Sequence, residues 1–343
     1  MLAGLATAAV LGALLVGFFL FQVFGGGPSD AEKTVVLRRG AGLSEIASTL
    51  DREGVIRSAP VFEAWARLTG NGARLRAGEY QFPAGASLSS VLDRVADGRV
   101  VNHFITIPEG WTSEMAVEAL NRSPILVGSA PVPPEGSILP QTYQVTRGED
   151  RAAVLTRMMD ARDRVMARLW PQRARDLPFS TQAEAITLAS IVEKETGVPS
   201  ERPRVAAVYV NRLRSGIPLQ ADPTIVYGIT RGRPLGRGIR RSELDADTPW
   251  NSYLRPGLPP GPIANPGEAS IAAVLNPPRT NELFFVADGT GGHAFSATLE
   301  GHNRNVARWR QIEAQRARQA TQGTGVSALP PPASATSSSP DAQ

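Results

Sequence analysis

The longest apolar run in the chain comes first. Residues 2–24 (LAGLATAAVLGALLVGFFLFQVF) carry no charge, and some twenty apolar residues wound as a helix span a bilayer core of about 30 Å. A cleaved signal peptide would show a basic start, a shorter apolar run and an Ala-x-Ala site near Gly25 to Asp30, and the sequence has none of these. The pattern predicts a single membrane anchor over 1–24. Lys33, Arg38 and Arg39 come after it and no Lys or Arg precedes it, a balance that mildly favours the cytoplasmic side for the rest of the chain.

Beyond the anchor, the glycine-rich stretch 25–32 (GGGPSDAE) reads as a short flexible linker. Extended runs at 34–37, 79–82 and 103–107 are each followed by Gly-x-Ser or Gly-x-Thr: Gly42 to Ser44, Gly85 to Ser87 and Gly110 to Thr112. Glycine permits the tight turn there, and the hydroxyl is expected to accept a hydrogen bond from the first free helical N–H groups. Ile46 and Leu50 then fall on one helical face, and a second helix over 60–68 stops at Gly70-Asn71-Gly72. Residues 33–82 therefore predict strand, helix, helix, strand, a layout similar to the glycan-binding LysM module, here bounded at 33–100. A further helix is expected over 150–170, with Leu155, Met158, Met159, Val165, Met166 and Leu169 on its buried side. The tail from Gly323 onward is Pro, Ser and Ala without apolar periodicity and predicts disorder over 321–343.

Residues 180–200 carry the clearest helix signals. Thr181 and Glu184 form a capping box, and Ala185, Leu188, Ala189 and Val192 follow the helical period. Glu193 and Glu195 then lie on opposite flanks of the apolar stripe, about 160° apart at 100° per residue, so they cannot line one cleft. Glu193 shares its flank with Ile186 and Ala189, and burial there would raise its pKa and keep a proton available. Geometry alone leaves two readings of Glu193 open, catalytic acid or ion-paired residue at a helix end. Lys194 reads as a solvated charge.

Composition narrows the chemistry. The 343 residues contain no cysteine, which excludes thiol catalysis, zinc ribbons and disulfide scaffolds. Lys33 and Lys194 are the only lysines, and the net charge of +4 is mild; with no basic run interleaved with aromatics, nucleic acid is not an expected partner. His103, His293 and His302 lack metal-ligand spacing, so neither a metal nor a cofactor is expected.

Several longer blocks occur in order: LASIVEKET (188–196), VAAVYVNRL (205–213), LQADPTIVYG (219–228), WNSYLRPGLPPGPIANPG (250–267), FFVADGTGGHAFS (284–296) and EGHNRNV (300–306). Together they resemble the signature of the endolytic murein transglycosylases, the MltG or YceG-like family. The resemblance implies an α+β catalytic domain over 101–320 behind the anchor and the small module. It implies Glu193, the first glutamate of IVEKET, as the catalytic acid/base. The implied reaction cuts peptidoglycan strands between N-acetylmuramic acid and N-acetylglucosamine, leaving 1,6-anhydro ends. The implied setting is the extracytoplasmic face of the inner (plasma) membrane, beside cell-wall synthesis enzymes, where such cuts terminate strand elongation.

One carboxylate can suffice for that reaction, because the C6 hydroxyl of the sugar is an intramolecular nucleophile with an effective molarity of about 10⁵ M or more. Candidate substrate contacts are Gln220, Asp222 and Thr224 in a turn marked by Pro223, Tyr227 on an expected strand, and Asn251 and Tyr253 at the start of a stiff Pro/Gly loop. Glu135 and Tyr143 belong to the block EGSILPQTY, which has Gln141 where the family usually has Asp. Asp222, then Glu135, would be the second carboxylate of a hydrolase cutting the same bond with water. A non-catalytic glycan-binding scaffold is the remaining alternative.

Overall fold

The computed structural model describes residues 2–323, and the expected disordered tail lies outside the described residues apart from its first positions. Its first helix, α1 (Leu2–Phe24), contains one stretch, Leu5–Phe24, long and apolar enough to cross a membrane. Only 6% of that stretch is buried by the rest of the protein.

Residues 33–97 make a small unit of β1 (Lys33–Leu37), α2 (Leu43–Arg52), α3 (Ala59–Leu68), β2 (Gly78–Phe82) and α4 (Leu88–Asp97). β1 and β2 pair antiparallel, Lys33 opposite Phe82 and Leu37 opposite Gly78. Ile46, Leu50, Phe62, Tyr80, Phe82, Val91 and Leu92 fill its core. The strand-helix-helix-strand order expected from the sequence is therefore present, with α4 added beneath it. Ser87 caps α4 by accepting from the Ser90 N–H, and Thr112 caps α5 (Ser113–Arg122) by accepting from the Met115 N–H. Ser44 does not cap: α2 begins at Leu43, which puts Gly42 at the cap and the Ser44 hydroxyl inside the first turn.

Residues 25–32, read from sequence as a flexible linker, are hydrogen-bonded to this unit. The Gly27 N–H donates to Gly85 O, the Gly85 N–H donates to Ser29 O, and Arg57 donates to Gly26 O. The unit meets the larger domain at Glu79, whose carboxylate holds His103 (2.6 Å) and Arg147 (2.9 Å). Those two bonds, with their charges, outweigh burial and hold the Glu79 carboxyl below the usual range.

The larger domain has its own core. β3 (His103–Thr106) pairs antiparallel with β4 (Thr142–Val145), and α6 (Arg151–Leu169) packs behind them with Leu155, Met158, Val165 and Met166 buried. At the centre runs α7 (Gln182–Glu195), closed at its N-terminus by the Thr181–Glu184 capping box and buried on every side from Ala185 to Val192. Around it lie α8 (Arg202–Arg214), α9 (Asp222–Thr230), the one-turn α10 (Arg241–Leu244) and α11 (Glu268–Leu275). The antiparallel hairpin of β5 (Phe284–Ala287) and β6 (His293–Ser296) and the long α12 (Leu299–Gly323) complete the domain.

One expected strand is a helix. Tyr227 lies in α9, because Pro223 occupies the first turn, where its fixed φ suits a helix and its missing N–H costs nothing. The fold is mixed helix and sheet, with three two-stranded sheets among the described residues.

Candidate active site

The two flanks of α7 face different surroundings. On the first, the Glu193 carboxylate is 4% exposed and fully engaged. Oε1 accepts from Arg202 (3.1 Å), and Oε2 accepts from the Gly267 N–H at the N-terminus of α11 (2.9 Å). Arg202 also binds Glu109 at 2.8 Å. A Cβ at Gly267 would overlap the Glu109 carboxylate, so a larger residue there would displace Glu109 from its place beside Arg202. Lys194 donates to Gly110 O at 3.3 Å.

The second flank opens into a cavity of about 360 Å³ lined by Glu195, Tyr209, Arg212, Leu219, Gln220, Asp222, Tyr253, Phe285 and His302. Glu195 ends α7, and Tyr209 and Arg212 come from one face of α8, three residues apart. Burial pushes the Glu195 carboxyl up to about 7, and the Asp222 carboxylate adds to the effect. A hydrogen bond from Tyr209 and the charge of Arg212 oppose it. Near neutral pH both the protonated and the ionised forms of this group are accessible.

Asp222 stands in the first turn of α9 and accepts from the Tyr253 hydroxyl at 2.5 Å. Gln220 takes a left-handed backbone conformation (φ 53°) that is costly for a side chain bearing a Cβ. Its N–H donates to Ser252 O, and its Oε1 accepts from Arg212. Arg212 is 8% exposed and also donates to the carbonyls of Pro218, Leu219 and Leu283, so it fixes the cavity rim. His302 stacks on Phe284 (centroids 5.2 Å apart), and burial together with Arg212 lowers its pKa, leaving a neutral imidazole at the cavity wall.

A family model described as the YceG-like family matches residues 35–308. The chain belongs to the YceG-like family. This YceG-like chain is 27% identical over 327 residues to the endolytic murein transglycosylase of Bacillus subtilis (strain 168), a match that covers 85% of this chain and 89% of the relative. It is 28% identical over 334 residues to the endolytic murein transglycosylase of Streptococcus pneumoniae (D39), covering 82% of this chain and 59% of that longer protein. A crystal structure of a yceG-like protein from Listeria monocytogenes aligns with a TM-score of 0.50 at 27% identity, covering 80% of this chain and 99% of the other.

The remaining residues singled out in the sequence fall into four places in this YceG-like fold. Gln220, Asp222 and Tyr253 line the cavity. Thr224 and Asn251 lie behind it, buried and satisfied. The Thr224 hydroxyl bonds Ala221 O and Ser252, while the Asn251 amide donates to Leu244 O and Ala246 O and accepts from two backbone N–H groups. They brace the wall without facing the cavity.

Glu135 and Tyr227 belong to a separate buried cluster. Glu135 accepts from Ser113, Asn265 and, at 3.4 Å, Tyr227. Burial outweighs these bonds and raises the Glu135 pKa. Tyr143 is in the core of the β3–β4 pair, its hydroxyl on Leu139 O at 2.6 Å, and burial raises its pKa to about 12. Tyr209, Arg212 and His302 were not among the sequence candidates. The i, i+3 pair in VAAVYVNRL was the readable signal for the first two. Nothing local marks His302, more than a hundred residues from Glu195.

Proposed function

We propose that this protein is an endolytic murein transglycosylase anchored by α1, with its catalytic domain on the extracytoplasmic side. Family membership and the two relatives of that name support the reaction, and the apolar α1 supports the anchor. The β-α-α-β unit is proposed as a LysM-like glycan-binding module feeding the cavity.

Within this reading the acid/base is Glu195 rather than Glu193, the residue that the family resemblance implied. The supporting observation is the cavity: Glu195 lines it with an acid poised near neutrality, whereas Glu193 is neutralised by Arg202 and lies outside the lining. Protonated Glu195 donates to the glycosidic oxygen, and the bond from C1 to that oxygen breaks. The C6 hydroxyl of the N-acetylmuramic acid unit attacks C1, and its proton passes to the Glu195 carboxylate. The proton count closes without water. Asp222, oriented by Tyr253, stabilises the positive charge that develops at C1. Gln220 and His302 offer hydrogen bonds to sugar hydroxyls and N-acetyl groups.

The test is digestion of purified glycan strands by wild type, Glu195→Gln and Glu193→Gln, with mass spectrometry of the ends. Anhydro ends from wild type and Glu193→Gln, and none from Glu195→Gln, are expected. Reducing ends alone would replace this reading with hydrolysis, for which Asp222 is the available second carboxylate. Unchanged function in both variants would favour a scaffold.

A further inference from the structure

The end of α1 is not a free tether. Val23 is fully buried in the core of the small unit, and Phe19 and Gln22, on the same face, are partly buried. Trp65 of α3 packs against α1 at two levels, 6.3 Å from Phe19 and 5.4 Å from Phe24 between ring centroids. Five residues of helix separate those levels, a rise of about 7.5 Å. The charge-free run 2–24 ends at Phe24 and rises about 34 Å as a helix, a few ångströms more than a hydrocarbon layer of about 30 Å, so Phe19 falls within the layer even with the whole surplus at this end. A side chain that reaches Phe19 is therefore inside the layer that α1 needs.

Trp65 is not isolated on α3. Val61, Ala64, Trp65 and Leu68 follow the i, i+3, i+4, i+7 pattern, a second apolar stripe beside the one that Phe62 and Ala66 bury in the core. Val61 and Trp65 are partly covered, Ala64 is exposed, and Leu68, one turn past Trp65, is 73% exposed. A lone exposed leucine on a soluble surface needs no explanation; this one continues a stripe that already touches the anchor. Arg57 is exposed and donates to Gly26 O, two residues past the end of the anchor, where a cation suits a headgroup layer. The pinned 25–32 segment prevents the unit from swinging away.

We infer that α3 lies in the membrane interface, its Val61–Leu68 stripe against the lipid that surrounds α1, so that anchor and small unit dock on the bilayer as one body. Tryptophan at the interface and an apolar stripe about 5–10 Å below the headgroups are the features of an interfacial helix. The inference rests on α1 spanning the membrane, and the test keeps the two apart.

Because the chain has no cysteine, single labels are clean: Leu11→Cys in the anchor, Leu68→Cys on α3 and Val132→Cys on the catalytic domain, all at exposed positions. Each full-length variant carries an environment-sensitive fluorophore and is reconstituted in phosphatidylethanolamine/phosphatidylglycerol vesicles, with and without lipids brominated along the chain. Quenching at positions 11 and 68 and none at 132 is expected, with 68 most sensitive to shallow bromines. Quenching at 11 but not at 68 overturns the inference and leaves the anchor standing. A blue-shifted, unquenched label at 68 also overturns it, since a protein surface such as a second copy would then cover the stripe. No quenching at 11 removes the anchor, and the inference with it.

Discussion

Two glutamates two residues apart on one helix occupy opposite kinds of environment, and the contrast separates burial from reactivity. Glu193 is almost wholly buried, yet Arg202 and a helix N-terminus supply the positive potential its charge needs. Such a carboxylate ties α7 to the starts of α8 and α11. Glu195 is buried at the wall of a cavity with Asp222 for a neighbour, so burial first and the Asp222 charge second oppose its ionisation. A buried carboxylate with complete partners holds a fold together, whereas one with incomplete partners and space beside it can do chemistry.

The sharpest way to break the contrast is to remove each carboxylate in turn and measure turnover on glycan strands. Glu195→Gln keeps the shape and loses the transferable proton, and a fall of about 10²–10⁴-fold is expected from the loss of general acid–base catalysis alone. Glu193→Gln should retain most of the activity of whatever protein remains folded. A comparable loss in folded Glu193→Gln with Glu195→Gln active would reverse the assignment.

Stability should move the other way. Glu193→Ala leaves Arg202, 13% exposed, with only the half-exposed Glu109 as a partner, and breaking a buried pair costs about 3 kcal/mol. Glu195→Gln should stabilise. The Glu195 carboxyl titrates at about 7 in the fold, against 4.5 for an ordinary glutamate. Burial therefore imposes no penalty below about 4.5, an increasing one between 4.5 and 7, and a full one above 7, worth up to about 3 kcal/mol. Chemical denaturation at about pH 5 and about pH 8 checks the sign: the variant's advantage over wild type must grow with pH. An advantage that is flat with pH would mean that Glu195 is not held neutral by its surroundings.

The readable part of this contrast was local. The capping box at Thr181, the stripe from Ala185 to Val192 and the opposed flanks of the two glutamates follow from helical geometry, and all are present. Which flank meets a cavity depends on α8, the Asp222 turn, the β5 strand and α12, segments up to about a hundred residues away in sequence, and no local pattern carries that. Thr224 and Asn251 show the same limit from the other side. Their residue types suit sugar binding, but the loop that brings them near the cavity consumes their hydrogen bonds. The strand expected at Tyr227 failed for a different reason: Pro223 suits both a turn and a helix start, and only the packing of α9 on α7 chooses.

The smallest expected effect tests how the second flank is tuned. On the acidic-carboxylate side of the mechanism, kcat/KM for wild type should fall as pH rises through about 7, where Glu195 loses the proton that the first step consumes. Burial is the larger cause of that high value and the Asp222 charge the smaller. In Asp222→Asn the descending limb should therefore move to lower pH by the smaller share of the rise, staying above the 4.5 of an ordinary glutamate. The variant also loses a charge that stabilises the transition state, so its maximal rate drops, but the limb position is independent of that loss. A limb that collapses to the ordinary carboxylate range would make Asp222, not the apolar packing of α7, the element that poises the acid. A limb that does not move would place Asp222 outside its electrostatic reach. Glu193→Gln serves as the control: it lies on the other flank of α7, outside the cavity lining, and the Arg202 it leaves behind keeps Glu109 as a partner, so the limb should move less than in Asp222→Asn.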